Sequence, residues 1–260
     1  MVWSKGAKNF ISALIPPAFW LGVWQLAAMW VERSVNSKGN ELLLPYPATV
    51  CAALLRIMGE ETFFPTVFTS LGRILLGLAL GTALGGVLAA VTCSSRWADR
   101  LLSPAIRVVR ATPVASFILL VLLWAGKDFV PAVISGLMVV PVVWGNLSRG
   151  IRETDRQLLE LARAYRFSGV KTLRLIYLPS LRPYFVSAIT AAMGLAWKSG
   201  IAAEVLCVPR HSIGTQIFNT KLYLEIPDLF AWTAVVVTLS LILEKLLQLG
   251  LERRKGGWEG

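Results

Sequence analysis

Few residues of this 260-residue chain are of types that do chemistry, and they are scattered along it. The single histidine, His211, stands in a polar stretch, and we interpret it as a solvated loop residue rather than a catalyst or proton relay. Cys51, Cys93 and Cys207 lack the spacing of metal ligands and are interpreted as small packing residues. The sequence contains neither a Gly-x-x-x-x-Gly-Lys-Ser/Thr phosphate loop nor a nucleophile elbow. We therefore predict no catalytic residue, no metal site and no cofactor in this chain.

Within or near the end of the apolar run 183–207 stand the charged residues Lys198 and Glu204. At 100° per residue they lie about 240° apart on a helix, so they do not pair with each other. Each needs another partner, a water-filled pathway or the membrane interface. A charge inside a membrane span is a candidate functional group, and Lys198 would attract an anion along a pathway. Burial of either charge against a neighbouring helix or a second subunit remains equally open.

The composition is that of a membrane protein. Hydrophobic residues make up 55% of the chain and charged residues only 16%, and the mean hydropathy is +0.63. Soluble domains average about 25% charged residues. The net charge of +11 would also suit a nucleic-acid binder, but the Lys and Arg residues fall between apolar runs instead of covering a folded polar surface. We exclude nucleic acid as a partner.

The apolar runs predict an all-α, polytopic membrane protein with about six transmembrane helices. The runs cover residues 10–31, 67–92, 104–125, 129–147, 183–207 and 229–251. In the second run Gly77, Gly81 and Gly85 form a small-residue stripe, which we interpret as helix packing within one subunit. We assign residues 1–63 to a first helix with an external amphipathic segment, in which residues 49–58 are helical, and residues 64–260 to the core domain.

The distribution of Lys and Arg predicts the orientation in the membrane. Most of these residues lie in the segments that would be cytoplasmic if the N-terminus is inside, above all in residues 148–182. Lys5, Lys8 and Arg253–Lys255 belong to the same side, whereas Lys38 lies outside. We therefore expect a multi-pass membrane protein with both termini in the cytoplasm.

The loop 148–182 is too polar to span a membrane, yet its pattern predicts two short amphipathic helices. Thr154 or Asp155 caps the first, Ser168 and Gly169 interrupt the pattern, and Pro179 with Pro183 ends the second and redirects the chain. Such a pair would either form a docking surface for a soluble partner or rest on the membrane surface, and the pattern alone favours neither.

The stretch from Glu160 to Pro179 resembles the cytoplasmic "EAA" loop of bacterial ABC importer permeases. That pattern reads Glu-Ala-Ala, three residues, Gly, nine residues, then Ile-x-Leu-Pro. The residues that match in register are Glu160, Ala162, Ile176, Leu178 and Pro179. Leu161 replaces the first alanine and Arg166 the glycine, which permits the sharp turn in other members. We expect the turn to move to Ser168-Gly169.

Further matches resemble the nitrate/sulfonate/taurine-type branch of these permeases. They are Leu44-Pro45-x-Pro47, Ser70-Leu71-x-Arg73, Arg110-Ala-Thr-Pro113, Trp124-Ala-Gly126, Ala196-Trp197 and Ala203-Glu204. The resemblance implies a type I importer fold and a homodimer of permeases in the lipid bilayer. It also implies two ATP-binding cassette subunits, which bind ATP and Mg, and an extracytoplasmic substrate-binding protein.

By the same resemblance, the loop would sit in a groove of the ATPase. Its contact positions would be Glu160, Leu161, Ala162, Arg166, Ser168, Gly169, Ile176, Leu178 and Pro179. The implied substrate is a small anion such as a sulfonate, nitrate or taurine, or a pyrimidine or vitamin precursor. Two alternatives remain: the transmembrane subunit of an energy-coupling-factor vitamin transporter, and a membrane-embedded enzyme.

Overall fold

The fold is described by a computed structural model that covers the backbone of residues 5–35 and 43–253, and the side chains of residues 15–34 and 43–250. Every regular element in these residues is a helix, which confirms the predicted all-α class. In chain order they are α1 (Lys5–Val35), α2 (Pro47–Met58), α3 (Phe63–Ser94), α4 (Arg96–Ala111), α5 (Val114–Leu122), α6 (Val130–Arg152), α7 (Arg156–Ala164), α8 (Gly169–Thr172), α9 (Leu178–Cys207), α10 (Ile213–Leu222) and α11 (Ile226–Arg253). The side chains of Lys5 and Lys8, and residues Lys38, Arg254 and Lys255, which entered the orientation prediction, lie outside this description.

Four helical stretches in the described residues are long and apolar enough to cross a membrane. They are Phe63–Ser94, Val130–Arg152, Gly169–Cys207 and Ile226–Gly250. A fifth candidate is the pair α4 and α5, which bend by 104° at the break between them. The described residues therefore hold four or five candidate spans; the predicted first span, residues 10–31, lies in α1, which is not among them.

The predicted run 104–125 is wrong as a single straight span. Helix α4 ends at Ala111, and a new helix begins only after Pro113, because a proline disfavours the helical conformation in the residue before it. Thr112 accordingly takes an extended conformation, with ψ at 134°.

The chain divides into two compact units. The first combines the described residues up to Pro65 with Gln216–Val236. In it α2 begins with Pro47 at its first position, where a missing N–H costs nothing, and confirms the predicted short amphipathic helix. Trp24 stacks on Phe230 with 5.8 Å between the ring centroids, and Arg56 forms an ion pair with Asp228. The predicted boundary at residue 63 stays a prediction.

The second unit, Thr66–Thr215 with the described residues from Val237 on, has α3, α6 and α9 at its core. The glycine stripe of α3 packs against α6 of the same chain, as predicted. A Cβ atom added to Gly77 would lie 2.2 Å from the Ala132 carbonyl oxygen, and one added to Gly81 would lie 2.5 Å from that of Gly136. The two backbones therefore approach as closely as glycine allows.

Helix α9 completes this core. A Cβ atom at Gly200 would lie 2.5 Å from both Ile74 of α3 and the Ser135 hydroxyl of α6. The same buried hydroxyl donates a hydrogen bond of 3.1 Å to the Ala196 carbonyl of α9. The three helices thus meet through small residues and one shared polar contact.

We predict that Gly77→Ala destabilises the protein by about 1–3 kcal/mol, because the new methyl group must push α6 away from α3. Gly72→Ala on the same helix is the control, since no atom lies within 4 Å of the position of its Cβ. Thermal unfolding in detergent measures both variants. Equal melting temperatures for the two would contradict the assigned packing.

Candidate functional site

Helix α7 has the start that the sequence predicts. The carboxylate of Asp155 caps it by accepting a hydrogen bond of 2.8 Å from the backbone N–H of Gln157. Just before this cap, the buried hydroxyl of Thr154 donates to the carbonyl of Gly150 at 3.0 Å. The loop helix is therefore anchored to the end of α6.

The end of α7 is a Schellman turn with an arginine at the position that favours glycine. The N–H of Phe167 donates to the Ala162 carbonyl at 2.8 Å, and the N–H of Arg166 donates to the Arg163 carbonyl at 3.0 Å. Arg166 has a φ of 50°, in the left-handed region. A residue with a Cβ atom is disfavoured there by about 1–2 kcal/mol.

The expected move of the turn to Ser168-Gly169 is therefore wrong. No described glycine has a positive φ, and Gly169 is the first residue of α8. Ser168 caps this helix by accepting a hydrogen bond from the N–H of Lys171 at 3.3 Å. The turn stays at position 166, where the family pattern has glycine, and Arg166 adopts the left-handed conformation there. The hydrogen bonds of the Schellman turn fix this position at the end of α7.

The second loop helix does not end at the prolines. Helix α8 is joined to α9 by a π-helical turn, Leu173–Tyr177. The helical conformation is therefore continuous from Gly169 to Cys207, over 39 residues. The prediction that Pro179 and Pro183 end the helix is wrong. In the π-helical turn the N–H of Leu178 donates to the Leu173 carbonyl. Such a turn departs from the regular α-helical hydrogen-bond pattern, which Pro179 would otherwise break.

The loop presents an exposed apolar surface. Ala162 and Ile176, which are 4% and 7% exposed, face inward. Leu161, Leu173 and Leu178 are each more than half exposed. The exposed charged side chains of the loop include Glu160, Arg163, Arg166, Lys171 and Arg174. We call residues 154–179 the loop surface. It combines apolar side chains with charged ones, as protein interfaces do.

Glu204, one of the two intramembrane charges, is fully buried in a network of hydrogen bonds. Its Oε2 accepts from the Ser70 hydroxyl at 2.9 Å and from the Gly214 N–H at 3.1 Å. Ser70 in turn accepts from the N–H of Ile213 at 2.9 Å. Gly214 is required here, because a Cβ atom on it would lie 2.3 Å from that of Glu204. The carboxylate thus ties the segment after α9 to both α9 and α3.

A second network holds the same segment from the other side. Asp128 accepts from the side chain of Arg73 at 3.1 Å and from the backbone N–H of Arg210 at 2.9 Å. Arg73 also donates to the carbonyl of Arg210 at 3.0 Å. Residues 208–214, which we call the outer loop, are fixed at both ends. His211 lies in this loop, exposed and with a φ of 45°.

Lys198, the other intramembrane charge, is exposed and makes no hydrogen bond or ion pair with any residue in the described part of the chain. It lies on α9 nine residues before Cys207, about 14 Å along the helix. The structure does not bring Lys198 and Glu204 together, in agreement with their predicted angular separation. One turn from Lys198, a Cβ atom on Gly194 would lie 3.5 Å from the Glu244 carboxylate.

Sequence reasoning missed the partners of these charges. Ser70 and Arg73 were noted as motif residues without a role, and Asp128 was not singled out. Their signal was present, since Arg73 is a charge within an apolar run and requires a partner. Metal-ligating clusters of three or more His, Cys, Asp or Glu residues do not occur among the described residues.

Comparisons with known proteins agree on one family. Residues 81–255 match the family described as "Binding-protein-dependent transport system inner membrane component". A putative aliphatic sulfonates transport permease protein of Escherichia coli is 30% identical over 87% of this chain and 81% of its own length. The taurine transport system permease protein of the same organism is 24% identical over 90% of this chain and 87% of its own length. These relatives are transport permeases, which argues against the embedded-enzyme alternative.

The fold also matches a solved structure. A chain in the crystal structure of an amino acid ABC transporter superposes with a TM-score of 0.59 at 19% identity, covering 72% of this chain and 91% of that one. At this identity the match shows the fold alone.

We predict that Arg166→Gly stabilises the loop by about 1 kcal/mol, because glycine adopts the left-handed conformation without a steric penalty. Hydrogen exchange of the amides of residues 156–172 measures the change, and protection should increase. Gly169→Ala is the control and should not weaken the loop, since nothing lies within 4 Å of its Cβ position. A loss of protection in Gly169→Ala would mean that the turn lies at Gly169.

Proposed function

The chain belongs to the family of binding-protein-dependent transport system inner membrane components, and from this premise we propose that its loop surface couples it to ATP-binding subunits. The observation that carries the proposal is the surface itself. Leu161, Leu173 and Leu178 expose apolar area next to charged side chains, while Ala162 and Ile176 hold the loop to the rest of the chain. A groove on a partner would cover this area.

The continuous helix from Gly169 to Cys207 supplies a route for the coupling. Its first three turns belong to the loop surface, and its last turns carry Lys198 and Glu204. No loop interrupts this helix, although its π-helical turn and its two prolines alter the regular backbone hydrogen bonds near its start. A displacement of the loop surface by the ATPase would therefore tilt the segment that carries both charges, in a rigid-body transition.

We propose the remaining parts of the transporter on the resemblance to the family. Two ATP-binding cassette subunits bind ATP and Mg, a second copy of this permease completes the pathway, and an extracytoplasmic binding protein delivers the solute. The Lys and Arg bias supports an orientation with both termini in the cytoplasm, in which the loop surface faces the ATPases and the outer loop faces the binding protein.

We further propose that Lys198 lines the translocation pathway. A charge exposed to lipid at this depth is costly, so a lysine without an internal partner favours a water-filled space. Its positive charge suits a small anion, and the sulfonate and taurine relatives are named for such solutes. Glu204 has a different task in the described state, because its carboxylate holds the outer loop closed against α3.

We predict that Leu161→Gln weakens copurification with the ATP-binding subunit and reduces ATP hydrolysis by the complex about tenfold, because an apolar contact is lost from the centre of the surface. Leu222→Gln makes the same change at an exposed leucine outside the loop surface and is the control. Removal of residues 160–179 should abolish assembly altogether. An active ATPase complex that lacks the whole loop would contradict the coupling.

The pathway prediction is tested by thiol labelling in a chain without native cysteines. Lys198→Cys should react with a small, charged, membrane-impermeant thiol reagent, since a water-filled pathway admits it. Ala196→Cys is the control, because residue 196 is fully buried and should stay unlabelled. Failure of Lys198→Cys to react in the resting, ATP-bound and ADP-bound complexes alike would exclude Lys198 from the pathway.

A further inference from the structure

Helix α4 carries a basic stripe that neither the loop surface nor the pathway uses. Its four arginines fall within an arc of about 80° at 100° per residue. They are Arg96, Arg100, Arg107 and Arg110, and all four are exposed. None of them forms an ion pair with another residue of the described part of the chain.

An apolar stripe runs beside the basic one. Trp97, Leu101 and Val108 fall within an arc of about 40°. Their exposed fractions are 81%, 76% and 62%. A helix that exposes an indole ring and aliphatic side chains next to a row of cations has the composition of an interfacial helix.

A third face of this helix carries its contacts with the rest of the unit. Asp99, about 20° from the edge of the basic stripe, accepts a hydrogen bond from Ser103 and lies 3.6 Å from the side chain of Arg152, at the end of α6. Ser103 and Ile106 are buried. The contacts of Asp99 and Ile106 therefore attach α4 to the rest of its unit, while the arginine side chains and Trp97 stay exposed.

The bend to the next helix sets the direction of α4. Helix α5 consists of nine residues, all apolar except Ser116, and α4 is bent from it by 104°. If α5 enters the membrane along its normal, α4 lies close to the plane of the surface. With five charged residues in 16, α4 does not fit into the hydrocarbon layer.

We propose that α4 lies in the cytoplasmic leaflet and binds anionic phospholipid headgroups with its basic stripe, while Trp97, Leu101 and Val108 enter the boundary of the acyl chains. The proposal rests on the orientation given under the proposed function. Anionic lipids attract clustered arginines close to the membrane surface, and guanidinium groups bind phosphate in a bidentate way. The cost of exposing the apolar stripe to water disappears in the same step.

The experiment uses the full chain in complex with its ATP-binding subunit, in lipid nanodiscs. An environment-sensitive fluorophore is attached at Val108→Cys in a chain without native cysteines. Its quenching by brominated phosphatidylglycerol is compared with that by brominated phosphatidylcholine. We expect both lipids to quench, with a preference for phosphatidylglycerol that declines as salt is raised, because salt screens exposed charges.

Two matched variants separate the stripe from net charge. Replacement of Arg96, Arg100, Arg107 and Arg110 by Gln should reduce the preference for phosphatidylglycerol about tenfold or more. Replacement of Arg33, Lys127, Arg210 and Lys221 by Gln removes the same charge from exposed positions outside both α4 and the loop surface, and should leave the preference unchanged. The salt dependence of the otherwise unchanged chain tests the proposal even if the first variant does not fold.

Three results would overturn the proposal. They are equal quenching by both lipids, an equal loss of preference in both variants, and a fluorophore that neither lipid quenches but the ATP-binding subunit shields. The last result would assign α4 to a protein partner. Nanodiscs contain both lipids in both leaflets, so an inverted orientation of the chain would not imitate any of these results. Copurification of the ATPase reports separately on the coupling function.

Discussion

The contact between α3 and α6 is the constraint on which the rest of the second unit depends. Lipid tails are as apolar as leucine, so hydrophobicity does not hold two helices together inside a bilayer. Gly77, Gly81 and Gly85 instead allow the two backbones to touch, and every added Cβ atom on this stripe would lie within 2.9 Å of an α6 carbonyl oxygen. Helix α9 can then reach both helices at Gly200, and its charged residues take fixed positions.

From this core, α9 connects two chemically different ends of the molecule. At one end the π-helical turn lets the helix pass Pro179 and continue into the exposed loop surface. At the other end Glu204 and Asp128 hold the outer loop through backbone N–H groups. Oε1 of the buried Glu204 carboxylate has no hydrogen-bond partner among the described residues, and Oε2 accepts from the Gly214 N–H only while the outer loop is in place. Movement of α9 and release of this loop are therefore energetically linked.

The loop surface illustrates how a fold tolerates an unfavourable residue. The hydrogen bonds at the end of α7 require a left-handed residue at position 166, and arginine occupies it at a steric cost. The anchored ends of the loop, at Thr154 and at Ile176, keep the turn in register. A cost of this size is small compared with the stability that a packed domain provides.

The sequence by itself determined the helical class, the position of most spans, the glycine stripe and the two loop helices, because apolar runs, glycine spacing and capping residues act locally. It also identified Lys198 and Glu204 as charges that need a partner or water. Only the tertiary structure decided which of them has a partner. Ser70 and Gly214 lie on other helices than Glu204, and a local sequence pattern does not show that they meet it. The bend after Ala111 has a local signal in Pro113, whereas the turn that stays at Arg166 and the helix that passes Pro179 run against the local preference of the residue concerned. Local propensity changes the free energy by about 1–3 kcal/mol per residue, and several tertiary contacts together exceed it.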